Sequence, residues 1–314
     1  MSPLRTHAPV IEELWALLSS YRHEIRTATE TRLRSVAGTP PDERLLERLS
    51  EPFDSVDDAA ERLANAAAHL RDRSDRRSVF LTVYRTMTEA VRAGIDSAAF
   101  EDPEWIRAYL VTFAEHYRRA LLAFERREFG AVPRPWRIAF AASLRGETLV
   151  TQDALLGINA HINYDLTYAL EEVAIDPNRE AKRADHDRIN DVLERLTDVV
   201  QETLASVYGA EGISELDAAL GEFDERLSLS GLAGSRHFAW RNAVLLADWP
   251  SWLATRYVDW RTRTIATGVA SAILAPGLDA TVAERLRDIE SEGTTLSSFD
   301  TVFRRRARAT VGIL

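Results

Sequence analysis

Gly157-Ile-Asn-Ala-His-Ile-Asn-Tyr-Asp-Leu-Thr-Tyr-Ala-Leu-Glu-Glu172 lies at mid-chain and decides the fold. It has no proline, no glycine after its first position, and Leu, Ile and Ala throughout, so it predicts a helix. Into that apolar setting it places two Asn, a His and an Asp. Asn and Asp are poor residues for a helix interior, because their side chains compete for nearby backbone groups. At about 3.6 residues per turn, His161, Tyr164, Asp165, Tyr168 and Glu172 share one face, with Asn159 and Asn163 on the adjacent stripe. A central helix buries such groups, and each buried polar group needs a partner. The stretch therefore points to a site as well as to a fold.

The flanking chain extends the same pattern. Upstream, Val132-Pro-Arg-Pro-Trp136 opens a helix that ends near Gly146, and Asp102-Pro103 pairs a capping Asp with Pro at a first helical position. The helix after Asp102 is expected to run to about Phe129. Arg76 to Arg92 has Val79, Phe80, Val83, Tyr84, Met87 and Val91 at helical spacing, and Asp54 or Ser55 caps a helix from Val56. Pro9 to Val36 carries Ile11, Leu14, Trp15, Leu18, Tyr21 and Ile25 on one stripe. Downstream, helices are expected over 185–208, 214–227 and 236–247, then one containing Trp252, Tyr257 and Trp260. A capping box at Thr281-x-x-Glu284 and a last helix from Ser298 complete the chain. No segment alternates with period two between hairpin turns. The expectation is all-α: a single-domain bundle of roughly ten helices spanning residues 1–314.

Composition narrows the function. The chain has 314 residues and a formal net charge of −10, which argues against a nucleic-acid partner, since phosphates are met by a basic surface. It has no cysteine, which excludes disulfides, thiolate ligands and thiol nucleophiles. No basic start followed by an apolar run marks a signal peptide, and no apolar stretch approaches the roughly 18 residues of a membrane span. A cytoplasmic protein without a membrane partner is expected.

His161 and Asp165, spaced i and i+4, can chelate a divalent metal, or the carboxylate can orient the imidazole. The alternative is a buried hydrogen-bonded pair that holds helices in register. Further ligands must come from another helix, and Asp185-His-Asp-Arg-Ile-Asn190, just past the Asp176-Pro177 loop, supplies Asp185. On this view His161, Asp165 and Asp185 hold the metal, and Asn159, Asn163 and Asn190 orient ligands or substrate. The protein would then be a metal-dependent helical enzyme, most simply a hydrolase whose cation activates water. His116 and His237 are weaker candidates. No Gly-x-Ser-x-Gly, His-Glu-x-x-His or Gly-rich phosphate loop is present. A different class, a non-catalytic scaffold or small-molecule-binding module, accounts for the same residues as a satisfied polar network.

Asn190, Glu194 and Asp198 stack at i, i+4 and i+8, three oxygen donors suited to a hard cation such as Mg²⁺. The pattern resembles the second metal motif of class I terpene synthases, with Glu194 at its Ser position and Asp198 at its Glu position. Arg145, Arg256-Tyr257 and an acidic group at Asp54-x-x-Asp57-Asp58 fall in a similar order, and the resemblance implies diphosphate chemistry. A broader resemblance rests on Val83-Tyr-Arg-x-Met-Thr88, Phe100-x-Asp-Pro-Glu-Trp105, Phe113-Ala-x-x-Tyr117, Val132-Pro-x-x-Trp136, Leu156-Gly-Ile-Asn-Ala-His-Ile-Asn-x-Asp-Leu166 and Asp185-x-x-x-Ile-Asn190. Together they look like a bacterial domain-of-unknown-function family over about residues 55–250. That resemblance implies a shared helical fold and no mechanism; His186 stands where the family pattern has an apolar residue.

Overall fold

The structure, a computed structural model, describes residues 26–311 except 28, 147, 194, 197, 201, 204–228, 275–279 and 294–295. The chain divides into two compact units, residues 1–40 and 41–314. In the first, helix α1 (29–37) closes on Gly38, whose N–H bonds the Ser35 carbonyl, and the Thr39 hydroxyl donates to the Val36 carbonyl at 2.8 Å. The expected stripe from Ile11 to Ile25 lies outside the described residues, as do 204–208 and the short helix at 214–227.

The second unit is all-α among its described residues. Its helices are α2 (Glu43–Leu49), α3 (Val56–Asp72), α4 (Arg77–Asp96), α5 (Pro103–Glu125), α6 (Arg134–Arg145), α7 (Val150–Ala160) and α8 (Leu166–Glu172). Then come α9 (helical over 179–193), α10 (Leu229–Asp248), α11 (Trp252–Leu274), α12 (Ala280–Gly293) and α13 (Leu296–Val311). Side-chain caps set several starts. Asp42, Ser55 and Asp102 accept from the backbone N–H of Leu45, Asp58 and Trp105, satisfying donors that the first turn leaves unpaired. Gly146, at φ +64°, takes the left-handed conformation that ends α6.

The central helix departs from its expected form in two ways. It starts at Val150, so Gly157 is interior, and residues His161–Asp165 form a π-helical turn between α7 and α8. Gly157 is there for space: a Cβ at this position would lie 2.4 Å from Cγ of Phe80 and 2.6 Å from its Cβ. Backbone of α7 thus sits directly against the base of an α4 aromatic, and the two helices pack at a distance no larger residue permits. Along its length the central helix meets α4, α6 and α11 through α7, α5, α10 and α11 through the π turn, and α5 and α10 through α8.

Two buried polar latches hold the periphery. Glu115 accepts from Arg118 and from the Phe53 backbone N–H at 2.7 Å, while Arg118 also donates to the Leu49 carbonyl. Arg76 bridges Asp153 at 2.7 Å and Glu290 at 3.0 Å, and Glu290 accepts from the Val150 N–H, tying α12 to the start of α7.

Candidate functional site

His161 and Asp165 do come together. Nδ1 of His161 lies 2.9 Å from Oδ2 of Asp165, and the same oxygen accepts from the Trp136 indole N–H at 2.8 Å. The π turn makes room for this: the N–H of Leu166 reaches back to the carbonyl of His161, five residues away. Around the imidazole stands a box of rings. Phe113 stacks on it with centroids 3.5 Å apart and planes 10° apart, Tyr84 meets it edge-on at 4.4 Å, and Phe80 packs edge-on at 5.7 Å.

Burial sets the charge of the pair. It pushes the Asp165 carboxyl well above the usual carboxylate range, against the opposing Trp136 hydrogen bond, and drives the His161 imidazole well below its ordinary value. Both shifts favour the uncharged forms, so the pair is net neutral. Nε2 of His161, the atom free to meet a ligand or substrate, is buried with no hydrogen-bond partner. Together these two residues pin α6 to the central helix through Trp136.

Asp185 is elsewhere. Its carboxylate accepts the backbone N–H groups of Glu101 at 2.8 Å and Asp102 at 2.7 Å, and pairs with Arg188 at 2.9 Å. It organises the approach to α5 and is not brought to His161. Two backbone donors before α5 already use both of its oxygens. Among the described residues, no group of three or more His, Asp or Glu stands close enough to hold a metal ion.

His186, beside it, is fully buried and its tautomer follows from its partners. The Nε2–H faces the Arg236 carbonyl at 3.3 Å, so Nδ1 accepts, from the Tyr109 hydroxyl at 3.1 Å and an Arg236 amine at 3.2 Å. Burial, reinforced by the Arg236 and Arg183 charges, holds the imidazole well below its ordinary value. Asn190 is part of the same cluster, accepting from Nε of Arg236 at 2.8 Å. That contact occupies the first residue of the Asn190–Glu194–Asp198 pattern. Glu194 lies outside the described residues, and Asp198 is exposed. Of the weaker candidates, His116 lies 3.3 Å from Glu172, and His237 meets Arg183 at 2.9 Å.

The two remaining asparagines face a cavity. Asn163 donates to the Asn159 carbonyl oxygen at 3.0 Å, and Asn159 donates to the Ala266 backbone carbonyl at 2.9 Å. This amide ladder runs along one wall of a partly open cavity of about 480 Å³ between α7, the π turn, α10 and α11. Ser235 and Thr264 add hydroxyls; Ile158, Ile162, Leu232, Ile265 and Val269 supply apolar surface. Among the described residues, no charged side chain lines it. At Gly268, also on the wall, an added Cβ would meet nothing within 4 Å.

The family model described as "Family of unknown function (DUF5995)" matches residues 56–276, more than half of the chain. The chain belongs to this family. Neither a curated protein nor a solved structure matches it. The span shared with DUF5995 extends past the expected limit near residue 250 and takes in α11, so it contains both the aromatic box and every wall of the cavity. Three contributors to these sites escaped the sequence: Trp136, Arg236 and Gly268. Trp136 had a usable signal, since a buried indole N–H requires an acceptor.

Proposed function

We propose that the chain is a small-molecule-binding module whose site is the cavity between α7, α10 and α11. The observation that carries this is the cavity's chemistry. Its volume falls within the roughly 300–1,000 Å³ of small-ligand sites, and its walls are apolar with a few converging uncharged polar groups. The Asn159–Asn163 ladder is already half satisfied, because each amide spends one N–H on a protein acceptor. A ligand therefore adds to it one hydrogen-bonding group and otherwise apolar contact. With no charge among the described lining residues, the site favours a neutral molecule, such as a medium-chain alcohol or amide, over the corresponding acid, whose carboxylate would be desolvated without a partner.

The metal-dependent hydrolase that His161, Asp165 and Asp185 suggest has less support, because Asp185 is engaged at Glu101 and Asp102. Isothermal titration with a neutral alcohol and its matching carboxylate tests the binding reading. Wild type should take up the alcohol and not the acid, and Gly268→Phe should abolish uptake while the protein stays folded. Equal binding by Gly268→Phe would remove the cavity as the site.

A further inference from the structure

The large hydrophobic residues exposed among the described residues gather in one place. They are Trp249, Trp252, Leu253, Tyr257 and Trp260, between 48% and 71% exposed, at the start of α11 and the turn before it. Together they present on the order of 600 Å² of apolar surface, at the top of what a monomer usually leaves in one patch. The composition is particular: three Trp and a Tyr, side chains with an apolar body and a polar edge. Such rings favour a membrane–water interface, where one end is apolar and the other wet.

Charge identifies the occupant. From Trp252 to Arg263 there are three arginines, Arg256, Arg261 and Arg263, against one aspartate, Asp259, in a chain whose formal net charge is −10. Asp259 is already claimed, by Arg263 at 3.1 Å and by the Tyr168 hydroxyl at 3.0 Å. A second copy docking face to face would set one arginine group against another, since a two-fold contact matches a surface with itself. An anionic lipid surface instead takes aromatic rings and arginines together. No helix of the described residues is long and apolar enough to cross a membrane, so the contact is one of lying on the surface.

The stripe also leads somewhere. Leu253, Tyr257, Arg261, Thr264, Gly268 and Ala272 step by three or four along α11, so the side that is aromatic and exposed at one end lines the cavity at the other. We infer that the Trp249–Trp260 face of α11 docks the protein on anionic lipid surfaces, beside a cavity suited to an apolar guest. Docking does not rest on the cavity being filled, since ligand uptake is read in lipid-free solution and docking on vesicles.

Cosedimentation of the full chain with neutral phosphatidylcholine vesicles and with phosphatidylglycerol-rich vesicles tests this, alongside quenching of tryptophan emission by brominated acyl chains. Wild type should bind the anionic vesicles, with quenching, and weaken as salt rises. Trp252→Ser/Trp260→Ser should lose binding and most quenching with an unchanged melting temperature, because both side chains are exposed. Arg256→Gln should weaken binding about fivefold. Absence of wild-type binding at low salt, or equal binding by the double Trp variant, overturns the assignment. So does a wild-type dimer in sedimentation equilibrium that the Trp variant dissociates while vesicles bind neither protein; that result gives the face to a second copy.

Discussion

Asp165 receives the His161 imidazole at 2.9 Å and the Trp136 indole at 2.8 Å on one carboxylate oxygen, and His161 and Asp165 are each no more than 2% exposed. A catalytic or metal-bound pair needs an atom open to substrate or cation. Here the only ring nitrogen not used by Asp165 is enclosed by aromatic rings.

Replacing either member by Ala orphans the other, an uncharged polar group, in an apolar box, which should cost about 1–3 kcal/mol. The double replacement should cost less than the two singles together, because no orphan is left. Denaturant unfolding of the four proteins, in chelator and again with Mg²⁺, Mn²⁺ or Zn²⁺, measures this. We expect the same values in both media. A thermal shift with added metal that His161→Ala and Asp165→Ala both lose would place a cation at the pair instead.

Two helical glycines, Gly157 of α7 and Gly268 of α11, should respond oppositely to alanine. At Gly157 the new methyl runs into the ring base and Cβ of Phe80, which cannot swing away, and overpacking of this kind costs about 1–3 kcal/mol. At Gly268 the methyl enters open space inside a helix, and Gly→Ala there should stabilise by up to about 1 kcal/mol. Melting temperatures of the two variants, compared with wild type, decide the matter; an unchanged or raised value for Gly157→Ala would contradict the packing described at Phe80.

His186 predicts a pH dependence. Burial and the charge of Arg236 depress its folded-state value below the ordinary 6.5, so the unfolded chain takes up a proton that the folded chain refuses. The stability this residue contributes is complete above pH 6.5 and is lost as pH falls toward the depressed folded value. The loss approaches about 1.4 kcal/mol per pH unit. His186→Gln carries no titrating ring, so the stability difference between wild type and this variant should narrow or reverse between pH 7.5 and 5. A difference constant across that range would mean that the fold leaves the His186 imidazole unshifted.

The fold was largely legible, and the residues that made it so are those whose role is local. Asp102-Pro103, Ser55 and Gly146 act within a turn of themselves, and each sits where its chemistry predicts. The His161–Asp165 contact was legible for the same reason, being set by i, i+4 spacing on one helix. Asp185 was not, because its partners are backbone N–H groups of residues 101 and 102, and a backbone donor leaves no mark in the sequence of a distant segment. Nor was the importance of Gly157, because it lies in its contact with Phe80, more than seventy positions away. Trp252, Tyr257 and Trp260 read only as members of one helix, since helical spacing fixes a common face without saying what that face meets.

The π turn has a consequence for the helix that contains it. One additional residue in the loop of a single turn delays the rotation of everything downstream by about one residue, roughly 100°. α7 is therefore free to direct Gly157 at Phe80, while α8 directs Thr167 at Asn242, which donates to it at 3.3 Å and to Thr262 of α11 at 3.2 Å. An unbroken α-helix through 150–172 has a single phase and would miss one of these two appointments. The turn works as a gear change in mid-helix, and a one-residue deletion inside it would be felt less at His161 than at the far end, where α8 would present the wrong side to α10.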